Sequence, residues 1–289
     1  MSVSEQLLEI FKHGVSSVQP NNILDNFIKV KSKKIIVTEG SKQKIYSKIN
    51  RVFPVCIGKA SVDMAKKIKK IFKVSNFKIE KGILIVNKEN FSKVKGFKCF
   101  SSGHPIPNRN GLDASIFLEN YLGKLEKNDL VLIFISGGGS ALAPYPVDGI
   151  SLEEKIIINK ILLESGANIK EINIVRKHLS KLKGGNLVKI CNPAYVHSFI
   201  LSDVIGDDLS SIASGMTTYD NSTFRDVKKI LNKYKIWTKI PKNIKNHINN
   251  GEKKKELETP EKNNQIFRKT NNTLIGSNNL CLNNMKNLC

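Results

Sequence analysis

The residues of this chain best suited to chemistry follow short apolar runs. Val131-Leu-Ile-Phe-Ile135 leads directly into Ser136-Gly137-Gly138-Gly139-Ser140. Three consecutive glycines leave the backbone free to take φ > 0 and to turn several N–H groups toward one anion. Ser140-Ala-Leu has the pattern of a helix start, which would add a positive dipole end. A flexible turn would contain the same glycines, so the cluster needs support from elsewhere. It matches none of three familiar motifs. Position 142 is Leu, where both a dinucleotide fingerprint and a nucleophile elbow require glycine. Gly58-Lys59 resembles the end of a P-loop, but the required earlier glycine falls on Phe53.

Other candidates follow the same pattern. Lys59 lies between Gly58 and Ala60 at a strand-to-helix junction, where α/β sheets usually bind ligands, although a surface lysine could also stand there. Asp203, Asp207 and Asp208 follow the apolar run Val196 to Leu201. Carboxylates at that point can hold Mg²⁺ or accept a substrate proton, or simply build an Asx-turn that caps a helix. Arg176, Lys177 and Lys183 put positive charge on one segment, as clamps for an acid or as solvated side chains. His104, in the proline-rich loop Phe100-SSGHPIPNRNG, reads more readily as structural than as catalytic.

The elements that must position these residues read as an α/β fold. Arg51-VFPVCI, Gly82-ILIVN, Val131 to Ile135 and Val196 to Leu201 are short, β-branched runs that suit strands buried on both faces of a parallel sheet. Between them lie amphipathic helical patterns. Val62, Ala65, Ile68 and Phe72 share one face, and Ser151-Leu-Glu-Glu154 is a capping box opening a helix to about Glu164. The expected architecture is a layered parallel sheet with helices on both faces over residues 1–222. Residues 223–289 then read as a linker and the start of an incomplete second α/β domain. The tail from Asn221 on, rich in lysine and asparagine, is expected to be loosely ordered and open to protease near Gly251 to Asn264.

The net charge of +22 raises the question of nucleic acid, but only five of the 47 basic residues are arginine, the residue that makes bidentate base and phosphate contacts. The lysines are spread along the chain, which favours general solvated basicity. The five cysteines show no metal-ligand spacing and read as reduced thiols of a cytoplasmic protein. The N-terminus carries Glu5 and Glu9 within an amphipathic pattern, unlike a signal peptide, and no apolar run approaches the ~20 residues of a membrane span.

Taken together, IGKASVDMA, SSGHPIPNRNG, ISGGGSALAPYPVDGISLEEK, INIVRKHLSKLKGG and LSDVIGDDLSSIASG resemble the glycerate 2-kinase family, sometimes labelled hydroxypyruvate reductase. The resemblance covers residues 1 to about 225, with a weaker echo in LIGSN. It implies ATP- and Mg²⁺-dependent transfer of the γ-phosphoryl group to the 2-hydroxyl of D-glycerate, in a cleft between a large Rossmann-like domain and a smaller α/β domain. The lysine of its GKA motif falls on Lys59 and the aspartate of its LSDV motif on Asp203. Lys59 would then stabilise the transferring phosphoryl group and Asp203 would orient or deprotonate the hydroxyl. Asp207 or Asp208 would hold Mg²⁺. Ser136, Gly137, Gly138, Gly139, Ser140, Lys177, Ser214 and Gly215 would bind phosphate or substrate, and Arg176 would hold the acid. Two departures stand out. The loop usually written SGPT is Ser214-Gly-Met216-Thr here, and most of the family's C-terminal domain is missing from these 289 residues. A fragment, half of a split protein or a decayed copy would each look so, with little activity until a complementing C-terminal domain is supplied. A homodimer is a further possibility for its assembly. An NAD-dependent hydroxypyruvate reductase is the rival enzyme reading, opposed by the absent fingerprint. A basic binding protein or non-catalytic remnant is the rival outside catalysis.

Overall fold

The computed structural model describes residues 2–73 and 75–288. Two helices open the chain, α1 (Val3–Ser17), begun by a Ser2/Glu5 capping box, and α2 (Pro20–Phe27), with proline in its first turn. Three short strands, β1 (Ile28–Lys31), β2 (Lys34–Glu39) and β3 (Lys42–Tyr46), form a small antiparallel sheet. The main sheet begins with β4 (Arg51–Ile57), followed by α3 (Ser61–Phe72), β5 (Lys78–Ile79), β6 (Gly82–Asn87) and β7 (Phe97–Ser102). Next come α4 (Arg109–Leu122), β8 (Leu130–Ile135), the single turn α5 (Gly139–Leu142), α6 (Leu152–Glu164), α7 (Ile169–His178), α8 (Asn186–Cys191) and β9 (Tyr195–Leu201). The chain continues through α9 (Phe224–Lys233), α10 (Lys242–Gly251), β10 (Thr270–Gly276) and α11 (Asn278–Lys286).

The seven-stranded sheet is parallel throughout, in the order β10-β9-β8-β4-β6-β7, with β5 beside β4. It is the layered α/β sheet expected from the apolar runs. Alternation along each strand divides the core in two. Val131, Ile133 and Ile135 face one layer with Leu118 and Leu122 of α4 and Leu187 of α8. Leu130, Leu132 and Phe134 face the other, with Ala65 and Ile68 of α3 and Ile35 and Val37 of the small sheet. Since both faces are covered, the central strands β4, β6 and β8 carry no polar stripe.

The end of the chain departs from the sequence-based expectation. Instead of starting a second sheet, β10 pairs in parallel with β9, from Thr270 opposite Val196 to Gly276 opposite Leu201. Ile275 enters the core, and a buried polar tie fixes the edge. His197 bridges the Tyr46 hydroxyl through Nδ1 (2.8 Å) and the Thr273 hydroxyl through Nε2 (3.0 Å), its pKa pushed down to about 3 by burial. The lysine- and asparagine-rich tail also packs along α10, contrary to the loose order expected. Ile244 and Ile248, four apart on one face of α10, are buried together with Ile240 just before it against α6, α7 and α9, while Leu257 stays exposed. Low apolar content is offset by placement.

Cys56 and Cys191 are buried thiols with pKa raised by desolvation, while Cys99 and Cys281 are partly exposed. All four are unpaired, and Cys289 lies outside the described residues. Among the described residues, no helix is long and apolar enough to cross a membrane.

Candidate active site

Parallel pairing brings the C-terminal ends of β4, β8 and β9 together, with Ile57 opposite Ile135 and Ile135 opposite Ile200. The loops that follow therefore meet. The N–H of Lys59 donates to the Gly137 carbonyl (3.0 Å), and that of Ala60 to Ser136 Oγ (3.0 Å). Ser136 is thus a buried brace rather than a ligand-facing hydroxyl. Gly58 has φ +133°, and a Cβ there would lie 2.2 Å from Ser136 Oγ, so only glycine allows the two loops to touch.

Around the next two glycines, three chemically active side chains converge. A Cβ on Gly137 would lie 2.3 Å from Asp203 Oδ2. One on Gly138 (φ +84°) would lie 2.9 Å from the His104 ring and 3.3 Å from Lys59 Cε. Lys59 and Asp203 are exposed and His104 is half-buried. Burial lowers the His104 pKa, Lys59 lowers it further, and Glu89 and Asp203 oppose that shift, so these groups share one electrostatic environment. The N–H groups of Gly137 and Gly138 donate to no group among the described residues, which leaves them free to meet an anion. The expected helix after the cluster is only one turn long, so its dipole is small and side-chain cations must attract an anion instead.

Those cations line an adjoining cavity of about 550 Å³, whose wall includes His104, Gly138, Ser140, Lys155, Arg176 and Lys183. Lys155 and Lys183 are 3% and 1% exposed. Lys155 donates to the Leu179 carbonyl (2.9 Å), Lys183 to the Ala143 carbonyl (3.3 Å), and Arg176 Nε to Asn159 Oδ1 (2.9 Å). Burial, with repulsion from Arg176, pushes Lys183 down to about 7. Burial together with both neighbouring cations holds Lys155 well below the usual lysine range, and burial alone lowers Arg176.

Ser140 shares a hydrogen bond with Ser214 (3.1 Å), which donates to Asn173 Oδ1 (2.9 Å). Ala213, Ser214 and Gly215 all have positive φ, and Gly184 and Gly185 tie this bend down by donating to the Ser214 and Gly215 carbonyls (3.0 and 2.8 Å). Two left-handed non-glycine residues store strain of about 1–3 kcal/mol each, the kind held at ligand loops.

Two other expected residues lie elsewhere. Lys177 and Asp208 line a second cavity of about 820 Å³, with Tyr219 and Phe267. Lys177 is committed to a buried ion pair with Asp220 (3.2 Å), whose second oxygen accepts from Ser222 and Thr259. Asp208 has its oxygens engaged by the Ser210 N–H and by the Ser210 and Ser211 hydroxyls, the Asx-turn alternative. Asp207 accepts a long contact from Asn279 Nδ2 (3.5 Å). The sequence reading missed Lys155 and undervalued His104. A signal for Lys155 existed, since it lies three residues from both Leu152 and Ile158 on the buried stripe of α6.

A family model described as Domain of unknown function (DUF4147) matches residues 6–249. The chain is 38% identical over 280 residues to a protein of Pyrococcus horikoshii named glycerate 2-kinase, covering 97% of this chain and 61% of that relative. Among solved structures, it is similar to a Pyrococcus horikoshii OT3 protein, with a TM-score of 0.88 and 36% identity over 99% of this chain and 62% of that one. A second, glycerate kinase from Thermotoga maritima, gives a TM-score of 0.82 and 32% identity at the same coverage. The chain spans about three fifths of the length of these relatives.

Proposed function

The chain belongs to the family described as Domain of unknown function (DUF4147), and from that premise we propose that its cleft serves the ATP-dependent phosphorylation of D-glycerate at the 2-hydroxyl. One observation carries the reading. Lys59, His104 and Asp203 gather on Gly137 and Gly138 at the carboxyl edge of a parallel sheet, beside a cavity rich in buried cations. Phosphoryl transfer needs positioning and charge neutralisation more than covalent chemistry, and these residue types supply both. The Lys59 ammonium neutralises charge on the transferring phosphoryl oxygens, and the free N–H groups of Gly137 and Gly138 cradle the same anion. Asp203 accepts a hydrogen bond from the acceptor hydroxyl, orienting it and taking its proton as the bond to phosphorus forms. His104, kept largely neutral by burial and Lys59, lines the acceptor side.

Magnesium would arrive with the nucleotide. Among the described residues no three His, Cys, Asp or Glu side chains converge, which suits an ion carried mainly by phosphate oxygens and water with one or two protein carboxylates. Asp207 and Asp208 are the carboxylates assigned that part; Asp207 now meets Asn279 of α11 at 3.5 Å, and Asp208 would first have to release its serine turn. When bound, the ion adds neutralising charge to the phosphates. The four unpaired thiols support placing the protein in the reducing cytoplasm.

The test is ADP release with Mg-ATP and D-glycerate, with the phosphorylated position assigned by NMR. Lys59→Met and Asp203→Asn should each lower kcat roughly 10²-fold while leaving the fold intact. Phosphate on the 3-hydroxyl, or NADH oxidation with hydroxypyruvate and no use of ATP, would refute the assignment.

A further inference from the structure

The cavity beside Gly138 holds more buried positive charge than the fold requires. Lys155, Lys183 and Arg176 come from α6, the turn after α7, and α7 itself, so no single helix pattern forces them together. Each buried ammonium has one carbonyl partner, although a lysine carries three donors. The charged groups that depress these lysines are other cations of the same trio, and no carboxylate among the described residues forms an ion pair with any of the three. Glu164, on the same wall, is turned to Lys160 at 3.8 Å on the exposed side of α6. Burying cations without counter-charge destabilises a fold, so a site that collects them is one that an anion completes.

We infer that this cavity binds a small oxyanion, held by Lys155 and Lys183 with Arg176 as the third cation. In the reaction proposed above, that oxyanion is the carboxylate of the acceptor, and the inference rests on that reading for its substrate. Lys59 and the Gly137 and Gly138 N–H groups face the phosphoryl side, and Gly138 and Ser140 form the shared wall. A carboxylate in the cavity would leave the neighbouring 2-hydroxyl at the glycine wall. The site would thereby select hydroxy acids over neutral polyols.

The site carries a proton signature. The titratable and charged groups on its walls are Lys155, Arg176 and Lys183, with His104, Lys160 and Glu164 at the rim and Lys59 acting on His104. Above neutrality the free cavity sheds a proton from Lys183, whereas a bound anion favours the charged ammonium, so binding takes protons up. The experiment is isothermal titration of the chain at pH 8 in two buffers of different ionisation enthalpy, with D-glycerate, inorganic phosphate and glycerol as probes. D-glycerate should bind with uptake of about one proton, glycerol should not bind, and Lys183→Met or Lys155→Met should weaken affinity at least tenfold and abolish or reduce the uptake. Phosphate binding with the same signature, in place of glycerate, would identify the oxyanion as a phosphoryl group. Binding of neither anion, or binding without proton uptake in the wild-type chain, would overturn the site whether or not the variants fold.

The two readings fail separately. Phosphoryl transfer with an unchanged KM for D-glycerate in Lys183→Met would remove this subsite and leave the kinase intact. Proton-linked glycerate binding in a chain that never releases ADP would do the reverse.

Discussion

Gly137→Ala isolates the contact on which the proposed chemistry depends. Gly137 has no positive φ, so its backbone accepts alanine without strain, and the conflict is local. The new Cβ would stand 2.3 Å from Asp203 Oδ2 and 2.9 Å from its Cγ, whereas ordinary contact begins near 3.4 Å. The carboxylate must therefore retreat by roughly 1 Å, and since Asp203 is exposed it can do so by rotating. A displacement of about 1 Å in a positioned catalytic group costs on the order of 10²-fold in rate, or about 2.7 kcal/mol of barrier. Stability should barely change, with Tm within about 4 °C of wild type, since no buried group is disturbed. The assay is steady-state ADP release with Mg-ATP and D-glycerate, alongside thermal denaturation. Combined with Asp203→Asn, the loss should not deepen, because both changes remove the same placed carboxylate. Wild-type turnover in Gly137→Ala, or losses that multiply in the double variant, would refute the role given to this contact.

Three further outcomes follow from the same geometry. Lys177→Met strands Asp220 in a buried site, and should cost about 3 kcal/mol, a Tm fall of roughly 6–12 °C; an unchanged Tm with lost substrate affinity would return Lys177 to the substrate site. Ile248→Ala should cost about 2–5 kcal/mol in a denaturant titration, and limited proteolysis should spare α10 in the wild type, because Ile248 is fully buried. Stability should also climb from pH 7 to 8.5 through Lys183. The unfolded chain keeps that proton toward the ordinary lysine pKa while the folded chain loses it near 7, so the unfolded state binds more protons in this window and ΔG of unfolding rises. Lys183→Met should flatten the climb, as followed by urea midpoints across that range.

The sequence by itself determined where the chemistry stands along the chain. Lys59, the glycine cluster and Asp203 each follow a β-branched run buried on both faces. Since parallel strands all end at one edge, those residues were bound to lie on the same side of the sheet. Local pattern also specified the capping box at Ser151, whereas the need for glycine at position 58 comes from Ser136 across the sheet edge. Tertiary structure decided the rest, because strand order and cross-layer packing depend on contacts far apart in sequence. The neighbourhood β9-β8-β4 puts Asp203 and Lys59 on either side of Gly137 and Gly138. Lys177 looked as available as Arg176 on the same helix until Asp220, 43 residues later, claimed it. The tail looked too polar to pack, yet Ile275 and the His197 tie draw β10 into the sheet. Lys183 could be a clamp or a solvated charge and Lys155 carried no signal of its own, because a linear pattern records spacing but not what covers a face. Only the folded chain buries them together without a counter-ion.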